Sequence, residues 1–117
     1  MPIRFVELPE FEKDKKHLRK FRRLEEDILV FRQALAVNPT ELSGIFEISE
    51  KDRKFKGNIF KATKFRSRDI PNKGSQSGFR IVFHYDNPTD TITLIEIYHH
   101  NEKDDYDRER LIRNFPI

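Results

Sequence analysis

The apolar positions of this chain follow two periods, and the changes from one to the other mark out its elements. Alternation in "IRFVEL" predicts a short strand over Ile3–Leu8, and Pro9 followed by Glu10 and Glu12 has the chemistry of a first helical turn. From Phe11 to Val37 the period is helical: Phe21, Leu24, Ile28, Phe31 and Leu35 share a face, and Phe11 and Leu18 begin a similar stripe. A stripe that long without a partner folds back, so two antiparallel helices with a break near Arg22 or Arg23 are expected. "VNPTELSG" stops the second helix, because Pro39 biases Asn38 away from helical backbone and Gly44 supplies a turn.

Beyond that point the period falls to two. A strand is expected over Asn58–Arg66, with Phe60, Ala62, Lys64 and Arg66 on one side and Ile59, Lys61, Thr63 and Phe65 on the other. "DIPNKGSQSG" is loop by composition. "FRIVFHYD" alternates again, "NPTD" is a tight hairpin connection, and "TITLIEIYH" is apolar on both faces, Ile92 and Leu94 against Ile95 and Ile97. That last pattern belongs to a central strand covered on each side. "DYDRERLIRNF" closes the chain as a short helix with Tyr106, Leu111 and Phe115 as packing candidates. The order strand, two helices, three strands, helix predicts one α+β domain over residues 1–117: two N-terminal helices on a small, twisted, mainly antiparallel sheet, with a short C-terminal helix.

Composition sharpens this picture in three places. Charged residues make up 37% of the chain, yet eleven Phe at periodic positions supply a core and argue against disorder. The absence of Cys removes disulfides and thiolate zinc sites. No apolar run reaches transmembrane length and "MPIRFVELPEF" has no signal-peptide core, so a soluble cytoplasmic protein with no membrane partner is expected. The net charge of +3 conceals a segregation: Lys51 to Arg80 holds ten Lys and Arg against two acids, whereas the residues after Arg80 hold four basic and eight acidic side chains. The basic segment suits a polyanion, nucleic acid first; the plainer alternative is a solubilising loop.

If the strands at 58–66, 79–85 and 92–99 are neighbours, one rim of the sheet collects Lys64, Arg66, Arg80, His99, His100 and Tyr106. Cations there could hold a phosphate and stabilise charge developing on it. Imidazole, with an ordinary pKa of ~6.5, exchanges protons near neutrality, and tyrosine can stack on a base or orient a donor. The set suits transesterification of RNA, in which the 2′-OH attacks the adjacent phosphorus; it would equally serve binding without cleavage. Plainer roles stand beside these. Strand-end cations are commonly solvated, Tyr106 could be core, and His17 and His84 read as structural. Adjacent histidines on an extended strand point to opposite sides, so at most one of His99 and His100 belongs in a site. Their spacing is not that of metal ligands, and "KGSQSG" lacks the spacing of a phosphate-binding P-loop.

"FEKDKKHLRKFRRLEEDILVFRQAL", "NIFKATKFR", "SQSGFRIVFHYD" and "ITLIEIYHH" together resemble the RelE/ParE superfamily of toxins from type II toxin–antitoxin systems, over roughly Ile3 to Phe115. The resemblance implies two helices packed on a twisted sheet and a cognate antitoxin that wraps the toxin. In the RelE-like branch it implies metal-independent cleavage of mRNA on the ribosome, with no cofactor. The basic pair before the loop matches Lys64 and Arg66, the Gly-aromatic-Arg motif matches Arg80, and the tyrosine near the final helix matches Tyr106. RelE-like members carry an arginine where this chain has His100; some nucleases of the fold use a histidine near the chain end as general acid, and a register slip would put His99 there instead. The loop Ser67–Gly74 is longer than in minimal members, which keeps Lys61 open beside Lys64; Lys61, Arg66, Arg68 and Lys73 are the candidate substrate-binding cations. The ParE-like branch, whose members inhibit DNA gyrase without cutting RNA, is the principal alternative. A non-catalytic nucleic-acid-binding module is another.

Overall fold

The computed structural model of the chain describes residues 2–50, 54–74 and 76–117. Lys51, Asp52 and Arg53 of the basic segment and Ser75 of the loop lie outside them. Strand β1 (Arg4–Glu7) leads into helix α1 (Pro9–His17), where Pro9 opens the first turn, Glu10 and Glu12 face the positive end of the helix dipole, and Lys15, Lys16 and His17 face the negative end. The helical pattern breaks where expected: Leu18 to Arg23 make a turn, in which Phe21 N–H donates to Leu18 O and Leu24 N–H to Phe21 O. Helix α2 (Leu24–Val37) buries Leu24, Ile28, Phe31 and Leu35 together with one acid, Asp27.

A strand that the sequence did not announce, β2 (Ile45–Glu47), follows Gly44 and pairs antiparallel with β3 (Ile59–Ala62). Strands β4 (Phe79–Asp86) and β5 (Thr91–His99) form the expected hairpin, and α3 (Arg108–Asn114) closes the chain, capped by the Asp107 carboxylate on Arg110 N–H. The sheet order is β1-β5-β4-β3-β2, with β1 parallel to β5 and every other pairing antiparallel. The fold is therefore α+β, with a mixed and mainly antiparallel sheet. One apolar cluster joins α1 and α2 to the sheet through Phe11, Ile28, Phe31, Phe79 and Phe83; a second, around Phe55, Val82, Ile95 and Leu111, joins it to α3.

Two phase expectations fail, each for a packing reason. The strand expected to run to Arg66 ends at Ala62: Thr63 N–H and Thr63 Oγ1 still donate to Gly44 O, the last rung toward β2, and Phe65 then turns into the helix-side core. There Phe65 packs 5.8 Å from Phe31 and 5.7 Å from Phe79, ring to ring, so it shares a side with Phe60 and Ala62 instead of opposing them. Burying an aromatic ring, worth ~1.5–3 kcal/mol, outweighs keeping a strand's alternation for one more pair. In β5 a bulge opposite Val82 and Phe83 shifts the phase, so Ile97 joins Ile92 and Leu94 on the helix side while Ile95 faces α3. The Asp14 carboxylate of α1 accepts from Ile97 N–H at 3.1 Å and also binds the Arg110 guanidinium, tying α1, β5 and α3 together.

Candidate functional site

The antiparallel order β3-β4-β5 brings the end of β3, the start of β4 and the end of β5 to one rim. Phe79 lies opposite His99 and Arg80 opposite Tyr98. The half-buried Arg80 donates from Nη1 to Thr63 O at 3.2 Å and to Phe79 O at 3.3 Å, so two carbonyls fix its position. Lys64 is exposed, lays its stem across Gly44 and donates from Nζ to Ser43 Oγ at 2.8 Å. Arg66 is exposed and approaches Gly74 of the following loop.

The two histidines behave differently from an extended pair. The strand ends at His99, and the rings stack 4.8 Å apart at 24° instead of pointing to opposite sides. Both clasp the Ser77–Gly78 turn. His99 is 8% exposed, packs edge-on to Phe79 at 5.1 Å, and has both ring nitrogens engaged by backbone. Asn101 N–H donates to Nδ1 at 3.2 Å, so the proton sits on Nε2, which meets Ser77 O at 2.9 Å. His99 has no nitrogen left for a substrate. His100 is exposed; its backbone N–H and its Nδ1–H both donate to Gly78 O, at 2.9 and 3.1 Å, and this leaves Nε2 for solvent or a ligand. Gly78 has φ +94°, and a Cβ there would overlap the His100 ring and lie 2.7 Å from His99 Nε2. The clasp needs glycine at this position.

The remaining candidates scatter. Tyr106 lines a depression with Phe46, Ile48, Lys61 and Thr63, separate from the cleft on to which His100 opens. Its hydroxyl donates to Glu50, and burial followed by that carboxylate pushes the phenol well above its ordinary pKa. Lys61 pairs with Asp105 at 3.4 Å. Arg68 is spent on α2: its backbone N–H and its Nε both bind the buried Asp27 carboxylate, at 3.0 and 2.9 Å, and its Nη2 binds Glu26. Lys73 is exposed on the His100 cleft, away from Tyr106. His17 bonds Glu102, and His84 stacks on Phe115 with burial lowering its pKa, so both have structural contacts. Among the described residues no group of three or more His, Asp or Glu is arranged to hold a metal ion, and no helix is long and apolar enough to cross a membrane.

Three residues matter here that the pattern did not single out. Ser77 is buried and bonds Phe65 O at 2.5 Å, which sets the turn that the histidines clasp. Phe21 stacks with His99, ring centroids 6.3 Å apart. Glu96 is buried in β5 and accepts from Lys103 Nζ and from Asp107 N–H, so it anchors the segment between His100 and α3. Glu96 had a signal, an acid in the middle of an apolar central strand; Phe21 read only as a core position.

No family model matches the chain, and no curated protein matches it. Among solved structures it is similar to the RelBE2 toxin–antitoxin complex of Mycobacterium tuberculosis, with 13% identity and a TM-score of 0.46 over 85% of this chain and 99% of the matched one. At that identity and score the likeness assigns neither family nor activity.

Proposed function

We propose that this chain is a toxin of a toxin–antitoxin pair and a metal-independent endoribonuclease acting on mRNA at the ribosome, with a cognate antitoxin as its protein partner. The sequence resemblance supplies the class; the observation that carries the chemistry is the rim, where a backbone-anchored Arg80 lies two positions from the glycine that anchors His100. In this reading Arg80, helped by Arg66, neutralises the scissile phosphate. The 2′-OH gives its proton to a general base, the role of Lys64 in its neutral amine form, O2′ attacks phosphorus, and the P–O5′ bond breaks. His100, entering as the imidazolium, gives its Nε2 proton to the departing 5′-oxygen and keeps Nδ1–H on Gly78 O. The products are a 2′,3′-cyclic phosphate and a 5′-hydroxyl. Tyr106, bonded to Glu50, orients substrate from the neighbouring depression or serves packing alone.

The test is incubation with mRNA, free and on translating ribosomes, with end-group analysis and a parallel gyrase supercoiling assay. The expected result is cyclic-phosphate ends, with cleavage reduced about 10²–10⁴-fold by His100→Ala and about 10²–10³-fold by Arg80→Ala. Intact mRNA with inhibited supercoiling would move the chain to the gyrase-directed class. Tight RNA binding with a steep salt dependence and no cleavage would make it a binding module.

A further inference from the structure

On the helix side of the rim lies an open cleft of about 520 Å³ between the α1–α2 turn and the loop before β4. Its apolar walls are Phe21 and Ile70, its polar lining includes Lys73, Gln76 and Asn101, and His100 stands at its margin. The volume exceeds what one nucleoside monophosphate needs. Phe21 is only half-buried, and a flexible ammonium, Lys20 Nζ, sits 5.3 Å from its ring centroid with its own side chain 67% exposed. A planar heterocycle can take that place at little cost, because base–aromatic stacking is tolerant of sequence and the lysine can swing to a phosphate. Gln76 and Asn101 are both exposed and carry amide donors and acceptors that match the edge of a base. The opposing charge at the mouth is Glu102, whose carboxylate is held by Lys20 and His17.

We propose that this cleft binds the nucleoside on the 3′ side of the cut, the one whose 5′-oxygen leaves. The assignment rests on the nuclease reading for its direction: a general acid at His100 must touch the 5′-oxygen, and the cleft is the cavity that His100 lines. The site itself stands on the aromatic wall, the amides and Lys73. The RNA then crosses the rim, with its phosphate at Arg80 and the leaving nucleoside against Phe21.

The experiment titrates the full ¹⁵N-labelled chain with nucleoside 5′-monophosphates and, separately, with inorganic phosphate. Wild-type protein and a Lys73→Ala, Gln76→Ala double variant are compared, and RNA cleavage is measured on both. A mononucleotide should move the amides of Phe21, Ile70, Gln76 and Asn101; inorganic phosphate should not move Phe21 or Ile70. The double variant should bind the mononucleotide about tenfold more weakly and cleave RNA about tenfold more slowly. Phe21→Leu, which keeps apolar bulk without an aromatic face, should weaken binding severalfold in a chain that stays folded. Cleft amides that stay unmoved, or a double variant with wild-type binding and cleavage, overturn the cleft and leave the nuclease standing. Mononucleotide binding in the cleft beside RNA that stays intact overturns the nuclease reading and, with it, the assignment to a leaving nucleoside.

Discussion

Replacing Gly78 with alanine tests the histidine clasp most directly. The residue holds φ +94°, where a side chain costs about 1–2 kcal/mol whatever surrounds it. In addition, the new methyl would occupy the place of the His100 ring and press on His99 Nε2, so neither ring could keep its bond to the turn. Two such hydrogen bonds, at about 1 kcal/mol each, bring the loss to about 3–4 kcal/mol. That is a large part of the ~5–15 kcal/mol that holds a domain of this size, and it corresponds to a melting point lower by roughly 12–16 °C.

Gly74 supplies the control. It also has positive φ, +57°, but a Cβ there meets only Arg66 Nη2 at 3.9 Å, which is ordinary contact. Gly74→Ala should therefore lose the backbone contribution alone, about 1–2 kcal/mol. Urea unfolding followed by circular dichroism measures both losses, and long-range ¹H–¹⁵N spectra of the imidazoles report whether His99 keeps its Nε2–H form and His100 its Nδ1–H bond. Equal losses for the two variants, or unchanged ring tautomers in Gly78→Ala, would refute the argument that these rings depend on the missing side chain.

Other outcomes follow from the same geometry. His99→Ala should cost about 2–4 kcal/mol in urea unfolding, since it removes a packed ring and strands Ser77 O and Asn101 N–H, whereas exposed His100→Ala should stay within about 0.5–1 kcal/mol; similar values for both would contradict their different burial. All three tyrosines titrate high: Tyr98 is pushed up to about 12 by burial, then by Asp105 and Glu96, Tyr85 is raised by its bond to Asp90 and then by burial, and Tyr106 by burial and then Glu50. The folded chain thus keeps phenolic protons that the unfolded chain gives up near pH 10, so this contribution to stability is full below pH 10 and fades toward pH 12. A tyrosinate signal at 295 nm with an apparent pKa of 10 or below in the native protein would contradict it. Glu96→Ala should lose about 2–3 kcal/mol and speed amide exchange from His100 to Asp107, because Lys103 and Asp107 N–H lose their shared acceptor; unchanged exchange there would show that the segment is held by other contacts.

The elements that periodicity fixes well are the ones with a single covered face. Phe11, Leu18 and the stripe from Leu24 to Leu35 are buried as their spacing requires, and the break between the helices falls at Leu18–Arg23. Strand β2 escaped because three residues, with Phe46 59% exposed, carry too little alternation to be seen, and pairing with β3 rather than local pattern makes them a strand. Arg68 shows the limit for charge. In the sequence it is one more cation of a basic run; in the fold its partners are Asp27 and Glu26, some forty residues earlier, and only tertiary structure can spend a charge at that distance.

The histidines carry the sharper lesson. Strand geometry separates neighbouring side chains only while the strand continues, and here it stops between the two. Once His100 leaves the ladder its ring is free to turn back on to Gly78, and the pair then divides its labour by hydrogen bonding rather than by direction. His99 fills both nitrogens with backbone and becomes the floor on which His100 rests; His100 fills one and keeps the other. A residue that must hold a proton donor in place needs every polar atom satisfied, and a residue that must pass a proton needs one that is not. This asymmetry, read from four hydrogen bonds around one turn, leaves His100 as the member of the pair with an open ring nitrogen and makes His99 its support.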